Sequence, residues 1–127
     1  KKNQKMRFIS LFILFLTNLI EGSSEFYICS CGDVRFLGKY VIDKEIGGIP
    51  TYINDNGMSF FNNNNFWYLG SLDVWPPETY YRCVNKEGCN AHVNTPPVPG
   101  KWTVNKKHGK DPIPVVQTTP CTQDDEL

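Results

Sequence analysis

The sequence predicts an all-β fold, a small antiparallel β-meander of about four to six short strands, and two observations support this. Runs of aromatic and β-branched residues between Val34 and Val84 recur about every eight residues, which is the spacing of β-hairpins rather than of βαβ units. Beyond residue 24, no stretch of about ten or more residues shows the 3.6-residue apolar period of a helix.

The predicted turns lie where Asn, Gly or Pro interrupt these runs. Asn54–Gly57 and Asn62–Asn65 are turn signals, because Asn and Gly adopt positive φ at low cost. Beyond Asn94, six prolines favour a polyproline segment that wraps the sheet, with Trp102–Val104 as its one plausible strand. The predicted strands of the meander are Val34–Leu37, Lys39–Ile42, Ile49–Ile53, Met58–Phe61, Phe66–Leu69 and Tyr80–Val84.

The first 24 residues have the pattern of a signal-peptide helix. Four basic residues precede the apolar run Phe8–Ile20, whose 13 residues are fewer than the roughly 20 of a membrane-spanning helix. Small residues favour cleavage after Ser24, and an uncleaved signal anchor is the alternative. The expected organisation is a signal peptide (1–24), a disulfide-stabilised β-domain (25–104) and a Pro-rich, acidic tail (105–127).

The charge balance argues against a polyanionic partner. Residues 25–127 contain 9 Lys and Arg against 12 Asp and Glu, a net charge of −3. Binding to nucleic acid needs a clustered basic face that neutralises phosphates. The one basic cluster, within Lys101–Lys110, is typical of a solvated loop. We therefore expect no nucleic-acid partner and, after cleavage, no stable membrane span.

All five cysteines follow the expected cleavage site, in a compartment where disulfides persist. Because five is an odd number, one thiol is left over or pairs with another chain. We expect Cys83–Cys89 as a local bridge and either Cys31 or Cys29 bonded to Cys121, although the sequence allows other pairings. In the chain-entropy account, the long bridge stabilises the fold by roughly 4–5 kcal/mol.

Cys29-x-Cys31 is the one redox-like motif, since two close thiols can form an easily reduced bridge that relays disulfides. No CxxC motif or thioredoxin-like unit surrounds it, so long-range structural bridges are favoured. A zinc site built from the CxC pair with Cys83, Cys89 and His92 matches no common spacing. Both histidines lie in polar loops, and we expect no catalytic residue, no metal and no cofactor.

Aromatic residues are the candidates for binding, because nine of the 17 in the chain lie in Ile49–Cys83. Alternate residues of a strand face opposite sides of the sheet. One face therefore forms the core, and the other meets the Pro-rich segment, a protein partner or a glycan. The possible binding surface comprises Tyr52, Trp67, Trp75 and Tyr81.

Four short motifs follow one another along the chain: Gly38-Lys39-Tyr40, Pro50-Thr51-Tyr52, Trp67-Tyr68-Leu69-Gly70 and a late Pro99 with Trp102. Their order is similar to that in small Tyr- and Trp-patterned β-domains of secreted proteins. The resemblance covers about residues 34–104. It implies a β-fold, and no catalytic residue is carried across.

The last four residues, Asp124, Asp125, Glu126 and Leu127, resemble the KDEL and HDEL signals for retrieval to the endoplasmic reticulum. Together with the signal peptide they predict a soluble resident of the lumen, and the lack of a catalytic constellation predicts that it is non-enzymatic. Its expected partners are a KDEL-type receptor and a protein or glycan ligand. The alternatives are a thiol–disulfide relay through Cys29 and Cys31, and a secreted surface or vacuolar protein of a protist.

Adding two residues after Leu127 should abolish retrieval, because the receptor reads an address at the free carboxyl terminus. The extended protein should leave the endoplasmic reticulum and appear in the medium or in a downstream compartment, as measured by cell fractionation. Lys106→Ala is the control and should leave the location unchanged. Identical locations of the extended and native proteins would show that the tail is not read.

Overall fold

The computed structural model describes residues 25–84, 88–89 and 94–122, and in this part of the chain it confirms the all-β class. Eight strands form one curled antiparallel sheet in the order β7-β6-β5-β4-β3-β2-β1-β8. The strands are β1 (Glu25–Ile28), β2 (Gly38–Ile46), β3 (Ile49–Ile53), β4 (Met58–Asn63), β5 (Phe66–Ser71), β6 (Glu78–Cys83), β7 (Thr103–Val104) and β8 (Val116–Gln117). No helix in this part is long and apolar enough to cross a membrane.

One predicted strand is wrong, because Val34–Phe36 forms a single 3-10 turn. The Asp33 side chain accepts a hydrogen bond from the backbone N–H of Arg35 at 3.1 Å and a second from its guanidinium Nε at 3.0 Å. Such local side-chain bonds offer the backbone an alternative to a sheet ladder. The turn places Phe36 in the core, where its ring is fully buried.

The core lies on the inner, concave face of the sheet. Its centre is two sets of directly opposed side chains, all nearly or fully buried: Phe26 with Tyr40 on β1 and β2, and Tyr52, Phe60, Leu69 and Tyr81 on β3 to β6. Phe60 contacts Phe26 of β1 at 6.3 Å between ring centroids and Trp102, just before β7, at 5.8 Å. Strands from both halves of the sheet therefore share one core.

The Pro-rich segment packs against the sheet, but it covers the inner, core-forming face rather than the opposite face, where the sequence predicts it. Its buried members are Pro96, Pro97, Trp102, Pro114 and Val116. The predicted domain boundary at residue 104 does not coincide with an end of the sheet, because β8 lies beyond it and pairs with β1.

Two disulfides are present, Cys83–Cys89 and Cys29–Cys121, which leaves Cys31 as the free thiol among the described residues. The second bridge spans 92 positions of sequence and joins the end of β1 to the chain after β8. It thereby fastens the covering segment to the sheet edge, and by loop-closure entropy it stabilises the fold by roughly 4–5 kcal/mol.

The β3–β4 turn is fixed by Asn54, which is only 6% exposed. Its side-chain NH₂ donates to the carbonyls of Arg35 at 2.8 Å and Leu37 at 3.1 Å. Its side-chain oxygen accepts from the N–H groups of Asn56 at 3.0 Å and Met58 at 2.9 Å. One buried amide thus joins a hairpin turn to the 3-10 turn.

Asn54→Asp should lower the free energy of unfolding by about 2–4 kcal/mol, because a buried carboxylate cannot donate to the carbonyls of Arg35 and Leu37 and would instead lie against their oxygens. Urea unfolding at pH 7 measures the change. Asn64→Asp adds the same charge at an exposed turn position with φ 54° and should cost less than about 0.5 kcal/mol. Equal losses in the two variants would contradict this role for Asn54.

Candidate functional site

The outer face of the sheet carries a row of three side chains on β4, β5 and β6. Phe61 lies opposite Tyr68, and Tyr68 lies opposite Arg82. Directly opposed side chains on one face have Cβ atoms about 4.5–5.5 Å apart. The rings of Phe61 and Tyr68 stack, with 5.6 Å between their centroids and 20° between their planes.

This row lies in a cavity of about 460 Å³, a volume within the roughly 300–1,000 Å³ of small-ligand sites. The loop that follows β5 supplies Leu72, Trp75, Pro76 and Pro77, and the end of β2 supplies Ile46. Trp75 is 76% exposed, although it is the largest apolar side chain of the loop. An exposed ring beside a cavity is typical of a contact surface for a ligand.

Polar groups complete the lining. Asn62 and Asn63 of β4 and Thr79 and Arg82 of β6 contribute two amides, a hydroxyl and a guanidinium. Thr79 Oγ1 accepts a hydrogen bond from Asn105 Nδ2 at 3.0 Å, which fixes this hydroxyl relative to the loop after β7. Since a hydroxyl can also donate, Thr79 retains a hydrogen for a bound molecule.

A β-bulge shapes this end of the site. Leu69 pairs with Tyr81 while Gly70 pairs with Thr79, so Tyr80 is the extra residue of β6. A Cβ on Gly70 would overlap the carbonyl oxygen of Glu78, so only glycine allows the approach. The bulge brings Thr79 to the cavity, and the ring of Tyr80 packs in the core instead.

Of the four residues predicted as a binding surface, the structure brings only Trp75 to the cavity. Tyr52, Trp67 and Tyr81 are buried in the core, because strand alternation places them on the inner face. The predicted surface is therefore wrong for these three.

The sequence reasoning missed Phe61, Tyr68 and Arg82. The alternation of side chains along a strand could have pointed to them, since it places Tyr68 on the face of the sheet opposite Trp67. It did not identify which of the two faces forms the core.

The two sulfurs of the CxC motif have different environments. Cys29 is bonded to Cys121, while Cys31 is free and half-buried near the Tyr81 hydroxyl. Burial raises the pKa of the Cys31 thiol, and the neighbouring polar groups of Tyr81 and of the Asp33 backbone oppose this shift only in part. A relay cysteine needs a lowered pKa, because the thiolate is the nucleophile.

The zinc alternative loses two ligands, because Cys83 and Cys89 are bonded to each other. Among the described residues, no group of three or more His, Cys, Asp and Glu side chains could hold a metal ion. The predicted signal peptide, His92 and the retrieval tail Asp124–Leu127 lie outside the described residues.

Folded protein should react with iodoacetamide at Cys31 several-fold more slowly at pH 7.5 than protein unfolded in urea with its disulfides intact. The raised pKa leaves less thiolate in the folded state, so the folded rate should climb only at a pH above the range of an exposed cysteine. Mass spectrometry follows the label, and Cys31→Ser should incorporate none. Faster labelling of the folded protein at pH 7 would indicate the stabilised thiolate that a relay requires.

The chain was also compared with known proteins. No protein-family model, curated protein or solved structure matched it.

Proposed function

We propose that this chain is a non-enzymatic binding module of the secretory pathway that holds a glycan in the outer-face cavity. The observation that carries the proposal is the stacked pair Phe61 and Tyr68 inside a concave site, with Trp75 exposed at its rim. Sugar rings present apolar C–H faces that pack on aromatic rings, and hydroxyls that need hydrogen-bond partners.

The polar residues of the lining can supply hydrogen-bond partners for the hydroxyls of a sugar. Asn63 and Thr79 can each donate and accept, and Arg82 donates only. A few placed polar groups around an apolar floor are the usual composition of a small-ligand site. Such groups would fix the orientation of a sugar whose ring packs on Tyr68, which the buried Phe61 supports from beneath.

Binding is favoured over catalysis by the same residues. A nucleophile or general base requires a side chain such as His, Cys, Asp, Glu or Lys with an orienting neighbour. The described residues that line the cavity contribute aromatic rings, aliphatic side chains, prolines, amides, the hydroxyls of Tyr68 and Thr79 and a guanidinium, and none of them is His, Cys, Asp, Glu or Lys. These groups hold a ligand without a proton acceptor matched to neutral pH.

The two disulfides support the secretory pathway as the place of binding, since such bridges persist in oxidising compartments. Retrieval to the endoplasmic reticulum by a KDEL-type receptor stays a prediction. Secretion to a cell surface or a vacuole is the alternative.

A protein ligand is the second candidate, and the exposed apolar loop favours it. Val74 is 45% exposed and adjoins Trp75, so the two form an apolar edge beside the cavity. A protein partner would cover both residues, whereas a glycan seated in the cavity would leave Val74 in water.

Tyr68→Ala and Trp75→Ala should each weaken glycan binding by roughly tenfold, which corresponds to about 1.4 kcal/mol for a lost ring contact. A glycan array identifies the ligand, and titration calorimetry measures the affinities. Phe66→Ala is the matched control, because Phe66 is 39% exposed on the same strand as Tyr68 yet does not line the cavity.

Unchanged affinity in Tyr68→Ala and Trp75→Ala, or an equal loss in Phe66→Ala, would contradict this location of the site. Val74→Asp separates the two candidates: it should disturb a protein partner strongly and a glycan little.

A further inference from the structure

We propose that the cavity selects acidic glycans, with the oxyanion of a carboxylate or sulfate held by Arg82; this inference rests on the glycan-binding function proposed above. Among the described residues that line the cavity, Arg82 alone carries a charge, and no Asp or Glu accompanies it. The site therefore presents a positive field to whatever enters it.

The guanidinium of Arg82 is uncompensated within the described part of the chain. The ion pairs there are Arg35 with Asp33 and Lys39 with Glu25, and no hydrogen bond from the Arg82 side chain is found. Only the Arg82 backbone carbonyl is engaged, as the acceptor for Thr103 Oγ1 at 3.2 Å. All five N–H donors of its side chain are thus open to a ligand.

Arg35 shows what a structural arginine does in this fold. Its Nη2 lies 2.7 Å from Asp33 Oδ2, and its guanidinium carbon stands 4.8 Å from the centroid of the Tyr80 ring. A carboxylate and an aromatic face therefore hold Arg35 in place, whereas Arg82 faces the cavity with neither.

The carboxylate of Glu78, on the same strand, forms no ion pair with Arg82 among the described residues. Glu78 Oε2 accepts a hydrogen bond from the Tyr80 hydroxyl at 3.1 Å, and Glu78 does not line the cavity. An oxyanion supplied by a ligand would therefore be the first partner of this guanidinium among the groups that the structure describes.

The position of Arg82 suits a substituent on a stacked sugar. Its register partner is Tyr68, one strand away at about 4.8 Å, and Tyr68 in turn stacks on Phe61. Phe61 is buried, so a sugar ring would pack on the half-exposed ring of Tyr68, and its carboxylate or sulfate would then lie beside Arg82. The planar guanidinium fork matches such oxyanions with two parallel hydrogen bonds.

The test uses the folded, disulfide-bonded protein on an array of glycans matched in backbone. Three forms of each are compared: with free carboxylates, with the same carboxylates as methyl esters, and with sulfates on neutral sugars. The acidic forms should bind at least tenfold more tightly than the esters, with an affinity that falls as salt rises. Binding of the carboxylate form alone, or of the sulfate form alone, identifies the source of the oxyanion.

Arg82→Gln should bring the ratio of acid to ester affinity close to one while leaving the ester affinity within about twofold. Lys39→Gln removes one positive charge from β2 outside the cavity and should retain the full preference. Circular dichroism and thermal melting confirm that each variant is folded.

Two results overturn the inference, and they differ from each other. If esters bind as tightly as acids, or if Arg82→Gln keeps the preference, acidic selection is wrong while glycan binding stands. If the folded protein binds neither form of any glycan, the proposed function fails and this inference fails with it.

Discussion

The fold depends on three inner-face tyrosines that each carry an apolar ring into the core and a hydroxyl to its edge. Tyr40 donates to the carbonyl of Phe36 at 2.7 Å, Tyr52 to that of Asn94 at 2.9 Å, and Tyr81 to that of Lys110 at 2.6 Å. Each hydroxyl fastens a different segment: the 3-10 turn, the start of the Pro-rich segment and its later part. A buried hydroxyl needs a partner, so these bonds direct the covering segments onto the sheet.

This arrangement explains why the covering segment needs little regular structure of its own. Proline removes backbone donors, so residues 94–122 form only the short strands β7 and β8. Tyrosine hydroxyls, the Cys29–Cys121 bridge and the bond from Gly32 N–H to the Pro112 carbonyl at 2.7 Å hold the segment instead. The inner face is thereby sealed, and the outer face of β4–β6 stays open to a ligand.

Local chemistry made much of the fold predictable from the sequence. Asn64 and Asn65 have φ values of 54° and 69°, as expected of a homopolymer of Asn between two strands. A strand was wrongly predicted at Val34, because the Asp33 side chain bonds to Arg35 and favours a 3-10 turn, a preference that an alternation of apolar residues does not reveal. Candidate site residues were harder to predict, since alternation gives two faces and only tertiary packing decides which one is buried.

The bulge in β6 shows why the alternation of residues along a strand does not predict which side chains line the cavity. Counting back from Arg82 by twos would place Tyr80 on the outer face near Tyr68, as a fourth aromatic ring of the site. The extra residue breaks this count, so that Tyr80 and Tyr81 both pack against Phe36, at 5.2 and 5.3 Å between centroids. Thr79 then occupies the cavity position opposite Gly70, where a hydroxyl replaces a ring. The place of Thr79 in the cavity is thus a consequence of one glycine, because a Cβ on Gly70 would overlap Glu78 and force the two strands apart.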